Sequence, residues 1–208
     1  MIVKVWKNFI INLKTLWYNI KDNFQIKRVK IVKKRIAHEE ILELYKKWQT
    51  PIHVQGHCKA VSDVAVRLAS ELNKHGYNLD ITLIERTGLV HDVARIYDDH
   101  ARKGYEILSE LGFLDEAEIV RVHMMYHIYN HVDKLNECDM ICLADVLVIE
   151  DKYVGLDKRI EYIYNKAKKR DPEKAKIIFL EKADIELTIE DICKVIGKSF
   201  DELFEDLR

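Results

Sequence analysis

The sequence predicts an all-α fold, and both its composition and its periodicity lead to that expectation. Only seven glycines and two prolines occur in 208 residues, which argues against a turn-rich all-β fold. Long stretches rich in Leu, Ile, Val, Lys and Glu favour helices and place apolar residues at helical spacing. The chain is 48% hydrophobic and 33% charged, a composition typical of folded domains. Its length allows one sizeable domain, or one domain with an extension.

An N-terminal extension is predicted over residues 1–37, and the main domain over residues 38–208. The extension holds ten basic residues and one acid, which gives it a net charge of +9 and leaves −10 on the remainder. Residues 2–20 predict an amphipathic helix with an apolar stripe of Ile2, Trp6, Phe9, Leu13, Leu16 and Ile20. This stripe is expected to pack on the domain or on a partner subunit of a homo-oligomer, to pair as a short coiled coil, or to contact an anionic membrane peripherally. The basic residues 24–36 contain no recognisable nucleic-acid motif.

The cysteines and the hydropathy of the chain indicate a cytoplasmic protein. No C-x-x-C pair is formed by Cys58, Cys138, Cys142 and Cys193. Free thiols in a reducing compartment are therefore expected, rather than disulfides or a four-cysteine zinc site. No uninterrupted apolar run reaches transmembrane length, and the N-terminus lacks the pattern of a signal peptide. We expect a cytoplasmic location, with a peripheral membrane contact of the extension left open.

The first helices of the main domain follow from their start and stop residues. A helix over about 38–48 is followed by Thr50, an expected N-cap, with Pro51 at the first helical position. This second helix is expected to stop at Gly76. Its predicted inner face consists of His53, His57, Val61, Val64, Leu68 and Leu72. His57 is thereby expected to face inward, as either a hydrogen-bonded core histidine or a metal ligand.

The next helix leads through apolar residues into His91 and Asp92. Burying a carboxylate there is unfavourable unless a cation or strong donors compensate it. The adjacent histidine offers a second ligand, so a metal explains the pair, although the pair can also simply cap a helix. Arg95, one turn after Asp92, is placed either to meet a substrate phosphate or to form a surface ion pair with Asp98 or Asp99.

The later part of the chain is predicted as helices over residues 99–111, 115–129, 138–150 and much of 157–208. His100 lies on the first of them and His123 on the second, with His127 one turn further on. Asp145 lies on the third, on an apolar face formed by Ile141, Cys142, Val148 and Ile149. A carboxylate in that position needs a partner, which a metal, a buried arginine or a helix N-terminus can supply. Ser199 is expected to begin the last helix through a capping box.

The ordered set of His57, the His91-Asp92 pair and Asp145 resembles the HD superfamily of metal-dependent phosphohydrolases. The resemblance covers residues 50–155 and rests on His57-Cys58-Lys59-Ala60-Val61, Gly88-Leu89-Val90-His91-Asp92-Val93-Ala94-Arg95 and Leu143-Ala144-Asp145. It implies an HD-domain helical bundle in which these four residues hold a metal.

Two further histidines extend the resemblance to binuclear members of the superfamily, of the symmetrical diadenosine-tetraphosphatase kind. The implied metal ligands are His57, His91, Asp92, His100, His123 and Asp145, with Asp92 bridging two ions. Met124 stands where cyclic-di-GMP phosphodiesterases with a GYP motif have a second histidine, so that class fits poorly. Arg95 stands where many relatives have lysine.

The resemblance implies a hydrolase of a phosphate ester or anhydride, with a nucleotide as the expected substrate. One or two divalent transition-metal ions (Fe, Mn, Co, Ni or Zn) would activate water. Asp92 and Arg95 are the expected catalytic residues, and Arg102 or Lys103 are further candidates for holding phosphate oxygens. Two alternatives stay open: a di-iron oxygenase of the HD fold, which uses a similar ligand set, and a non-catalytic metal-binding regulatory module.

Overall fold

A computed structural model describes residues 34–125, 129–169 and 171–208. The helices are α1 (His38–Lys47), α2 (Ile52–Lys74), α3 (Ile81–Val90), α4 (His100–Glu110), α5 (Leu114–Val122), α6 (Glu137–Asp145), α7 (Leu156–Lys168), α8 (Pro172–Ile196) and α9 (Phe200–Leu203). Between α6 and α7 lies a two-stranded antiparallel hairpin, β1 (Val148–Ile149) and β2 (Lys152–Tyr153). The all-α prediction is confirmed, because the only strands in the described residues are these two short ones. None of the described helices is both long and apolar enough to cross a membrane.

The predicted amphipathic helix over 2–20 and His127 lie outside the described residues. The boundary at residue 37 therefore stays a prediction. Within the described part, Arg35 donates to Asp115 at 2.8 Å and to Asp80 at 2.9 Å, and Ile36 is 1% exposed. Residues 35 and 36 thus contact the body of the main domain.

Polar caps and glycines set several helix ends, and the sequence predicts those at Gly76 and Ser199. The side chains of Asp80 and Asp99 accept from backbone N–H groups at the starts of α3 and α4. Ser199 begins α9 through a capping box, as predicted. Gly76 (φ +93°) and Gly112 (φ +84°) follow α2 and α4 in the left-handed conformation that favours glycine.

Two predictions at the start of α2 were wrong. Thr50 does not cap the helix: its hydroxyl donates to the carbonyl oxygen of Val93 at 2.6 Å, and Pro51 holds the N-cap position. A buried carbonyl needs a donor, and Thr50 supplies it across the fold. His53 is exposed rather than on the inner face, because Val54 and Cys58 turn toward the core instead.

Two later helices end sooner than predicted. Helix α5 ends at Val122, and a 3₁₀ turn begins at His123. Helix α6 ends at Asp145, so Val148 and Ile149 do not share its apolar face but form strand β1. Two β-branched residues in succession fit a strand better than a helix. The predicted ligands His123 and Asp145 therefore lie at the C-terminal ends of α5 and α6.

The hydrophobic core has two parts, and α2 contributes to both. One part lies around α1, α4 and α5 and includes Ile41, Leu44, Cys58, Val90, Leu108 and Val120. The other is built by α2, α3, α6, the hairpin, α8 and the C-terminal residues and includes Val61, Leu68, Ile84, Leu143, Ile192 and Phe204. His57 precedes Cys58 directly, so it lies on the stretch of α2 where one part of the core gives way to the other.

Helices α2 and α3 approach each other closely at Gly88. A Cβ atom added to Gly88 would lie 2.6 Å from the Cα atom of Ser62, which is too close for any larger residue without a backbone shift. The hydroxyl of Ser62 also donates to the carbonyl oxygen of Glu85 at 3.0 Å. This contact fixes the end of α3, from which His91 and Asp92 follow.

Candidate metal centre

Five helices deliver the six predicted ligands to one place. His57 lies within α2, His91 and Asp92 come directly after α3, His100 is the first residue of α4, and His123 comes directly after α5. Of these, His91, Asp92, His100 and His123 are all buried. Asp145, the last residue of α6, approaches from the side of His57.

The side chains form two groups that share Asp92. The ligand atoms of His57, His91 and Asp92 all lie within 4.8 Å of one another, and so do those of Asp92, His100 and His123. Oδ1 of Asp92 is 3.1 Å from Nε2 of His100 and 3.5 Å from Nε2 of His123. Successive ring centroids along His57, His91, His123 and His100 are 5.4, 5.3 and 5.4 Å apart. The four imidazoles therefore form a row around the carboxylate.

Asp145 adjoins the first group rather than standing inside it. Its Oδ1 lies 3.0 Å from Nε2 of His57 and 3.3 Å from a terminal nitrogen of Arg159. The six predicted ligands are thus neighbours, with Asp145 joined to the others through His57. Their assignment as metal ligands stays a prediction.

Backbone carbonyls orient two of the imidazoles. Nδ1 of His91 donates to the carbonyl oxygen of Gly88 at 2.8 Å, and Nδ1 of His123 donates to that of Val120 at 2.7 Å. In the neutral form of each ring, Nδ1 carries the proton and Nε2 presents a lone pair. Both Nε2 atoms are buried without a hydrogen-bond partner in the described residues, whereas Oδ1 of Asp92 has Nε2 of His100 as a donor at 3.1 Å. Two buried imidazole acceptors that lack donors, beside a carboxylate, fit a bound cation.

His57 adds a third acceptor. Its Nδ1 lies 3.1 Å from the carbonyl oxygen of Glu150 and must donate to it. In the neutral ring, Nε2 then directs a lone pair at the carboxylate oxygen of Asp145. Two acceptors at 3.0 Å repel each other unless a proton or a metal ion lies between them. This contact is the second observation that fits a metal.

Arg95 lies at the other end of the row. Its Nε is 3.3 Å from Oδ2 of Asp92, and a terminal nitrogen donates to Nδ1 of His100 at 3.0 Å. Its side chain is 44% exposed, so the guanidinium lies at the rim and reaches both solvent and the cluster. The contacts of Arg95 in the described residues are thus with the site, rather than with Asp98 or Asp99.

The charges of the cluster suit metal binding near neutral pH. Burial lowers the pKa of His91 to about 4, so its ring is neutral. Burial alone would raise the pKa of Asp92 and of Asp145, but neighbouring groups outweigh it. The imidazoles of His100 and His123 hold the pKa of Asp92 well below its usual range. His57 and the charge of Arg159 do the same for Asp145. Both carboxylates are therefore ionised.

Arg159 is the site residue that the sequence analysis missed. It lies on α7, in a segment of charged residues that reads as a solvated face. The spacing of apolar residues in the sequence did indicate its position. Arg159 lies on the same side of the helix as the apolar residues Leu156 and Ile160, and both of these are buried. The carbonyl groups that accept from His91, His123 and His57 belong to the main chain, so the residue types in the sequence do not reveal them.

The geometry defines an all-helical domain with a buried cluster of histidines and carboxylates that could hold a divalent metal. Residues 54–150 match the family model of the HD domain. The predicted resemblance to the HD superfamily is thereby confirmed over these residues. An uncharacterized protein of Methanocaldococcus jannaschii is 29% identical over 147 residues, which cover 62% of this chain and 85% of that protein. No solved structure matches the chain significantly.

Proposed function

We propose that this protein is a metal-dependent hydrolase that cleaves a phosphate ester or anhydride, with a nucleotide as the expected substrate. The observation that carries the proposal is the pair of buried imidazole nitrogens without donors, Nε2 of His91 and Nε2 of His123, beside Asp92 in the region that matches the HD domain. HD domains are typical of metal-dependent phosphohydrolases. An arginine at the rim of the same cluster adds a group that binds phosphate.

The residues have separate roles in the proposed reaction. His57, His91 and Asp92 would hold one divalent ion with Asp145, and His100 and His123 a second ion that shares Asp92. A bound transition metal supplies an acidified water and positive charge for the phosphoryl group. Arg95 reaches from the rim to bind phosphate oxygens and to orient the phosphorus atom. Hydrolysis forms one P–O bond from water, breaks the bond to the leaving oxygen, and gives that oxygen a proton.

The test combines metal content with phosphate release. Protein purified without chelators or nickel affinity, and reloaded with Mn, Fe, Co, Ni or Zn, is assayed on a panel of nucleotides and on bis(p-nitrophenyl) phosphate. We expect one or two metal equivalents and product release in the wild type, and neither in Asp92→Ala. His131→Ala is the matched control, since His131 is 73% exposed and pairs with Asp133. A metal-loaded wild type that cleaves nothing in the panel, or an Asp92→Ala variant with full activity, would contradict the proposal.

The two alternatives that the sequence leaves open involve the same residues, and the same experiment distinguishes them from the proposed hydrolase. An HD-fold di-iron oxygenase would consume dioxygen with a polyol or phosphonate and release no phosphate from nucleotides. A regulatory module would leave activity absent in every variant. The two arginines that contact the carboxylates of the cluster favour the phosphohydrolase, because their natural ligand is an oxyanion.

A further inference from the structure

Arg159 places a second cation in the centre, on the side opposite to Arg95. A terminal nitrogen of its guanidinium donates to Oδ1 of Asp145 at 3.3 Å, the same oxygen that faces His57. The side chain is only 15% exposed. Its Nε atom is buried and has no hydrogen-bond partner in the described residues. The guanidinium carbon lies 5.8 Å from the ring centroid of Tyr162, which flanks it.

A guanidinium carries five N–H donors, and one carboxylate oxygen uses few of them. Burying such a group is unfavourable unless anions or further acceptors satisfy it. In the described residues the side chain of Arg159 makes one hydrogen bond, to Asp145. That carboxylate is also a predicted metal ligand, and a bound metal would take part of its charge. Arg159 therefore keeps donors and positive charge for another anion.

The charge of the whole centre leads to the same conclusion. The predicted ligand set contains two carboxylates, Asp92 and Asp145, and four imidazoles. The two arginines that contact those carboxylates already balance their charges. Each divalent ion then adds two uncompensated positive charges. A centre of this composition attracts a ligand with several negative charges.

The two arginines also lie apart. Arg95 contacts His100 and Asp92 at one end of the row of imidazoles, and Arg159 contacts Asp145 beside His57 at the other. Successive rings in that row are more than 5 Å apart. Each arginine can therefore meet a different phosphoryl group of one ligand.

We propose that Arg159 is a substrate-binding residue, and that the substrate carries at least two linked phosphoryl groups, one held near each arginine. This inference rests on the proposed function and narrows it to phosphoanhydrides and other polyphosphorylated compounds. A simple phosphomonoester would occupy only one end of the centre.

The test measures binding of two inorganic probes, phosphate and tripolyphosphate, to the full metal-loaded chain by calorimetry. We expect tripolyphosphate to bind the wild type at least about ten-fold more tightly than phosphate. Arg159→Gln should lose about ten-fold in tripolyphosphate affinity and change phosphate affinity little. Arg159→Lys should recover part of the loss. Arg121→Gln is the control, because Arg121 is 52% exposed and pairs with Glu118.

The metal content of each variant distinguishes a failure of the inference about Arg159 from a failure of the proposed function. Equal metal content with unchanged binding of both probes in Arg159→Gln would overturn the inference and leave the proposed function standing. Loss of metal together with both probes would show that Arg159 only positions Asp145, which also overturns it. A wild type that binds no metal under any condition would overturn the proposed function itself.

Discussion

Replacing Asp92 by asparagine should remove the stabilisation that metal gives this domain. Asp92 is common to both groups of candidate ligands, and its Oδ1 lies closer to His100 and His123 than any other carboxylate oxygen in the described contacts. Asparagine keeps the shape of the side chain but loses its charge. The wild-type melting temperature should therefore rise with added metal, and that of Asp92→Asn should not.

The size of the effect follows from the buried acceptors. Each of the two imidazole nitrogens without a donor costs about 1–3 kcal/mol, so an ion that contacts both relieves roughly 2–6 kcal/mol. A ligand at a hundred times its Kd stabilises the folded state by about 2.7 kcal/mol. For a domain of this size each kcal/mol shifts Tm by about 2–4 °C. We thus expect a rise of about 5–11 °C at that metal concentration.

The assay is calorimetric unfolding of chelator-treated protein at increasing concentrations of each of the five metals. Asp63→Asn is the matched control, since Asp63 lies on the exposed side of α2 and pairs with Lys59. The Tm of Asp63→Asn should rise with added metal as much as that of the wild type. If the Tm of Asp92→Asn also rises by that amount, metal binds elsewhere. If no metal shifts the wild-type Tm, the argument from buried acceptors is wrong.

Three further substitutions test the packing and the charges that position the centre. Gly88→Ala should lower the free energy of unfolding by about 1–3 kcal/mol in urea, because the new methyl group meets the backbone of Ser62; an unchanged value would show that α2 and α3 can separate freely. Leu68→Ala, at a fully buried position, should cost about 2–5 kcal/mol in the same titration, and a smaller loss would mean that the core refills the cavity. Lys198 holds the pKa of Glu71 at about 2, so this carboxylate stabilises the fold above its ordinary pKa and stops doing so as the pH falls toward 2. The Tm difference between wild type and Glu71→Gln should therefore close on acidification, and a constant difference would contradict the pKa argument.

Much of the fold could be predicted because its helices begin and end at residues with a local preference. Asp99 and Ser199 accept backbone N–H groups within their own first turns, and Gly76 adopts a conformation that other residues avoid. The errors arose where a distant contact decided the outcome. Thr50 was expected to cap its own helix, but the carbonyl of Val93, distant in sequence, takes its hydroxyl.

The site was predictable by residue type and less so by geometry. A histidine or aspartate next to apolar residues is visible in a sequence, and the structure places all six such residues close together. Their precise partners are not visible, because Gly88, Val120 and Glu150 contribute main-chain oxygens. Arg159 was missed because most arginines between charged neighbours are solvated, and only its spacing from buried residues set it apart.

Helix ends explain why this cluster favours a cation even before its side chains are counted. His91 and His123 each occupy the C-cap position of a helix and donate Nδ1–H to the carbonyl three residues earlier, one of the last-turn oxygens that a helix leaves unpaired. The C-terminal ends of α3, α5 and α6 all meet the cluster, and each carries partial negative charge. His100 differs, because it begins α4 at the positive end of that helix and accepts from Arg95. The two groups that share Asp92 are therefore unequal, and we expect a metal ion to bind first at the group of His57 and His91.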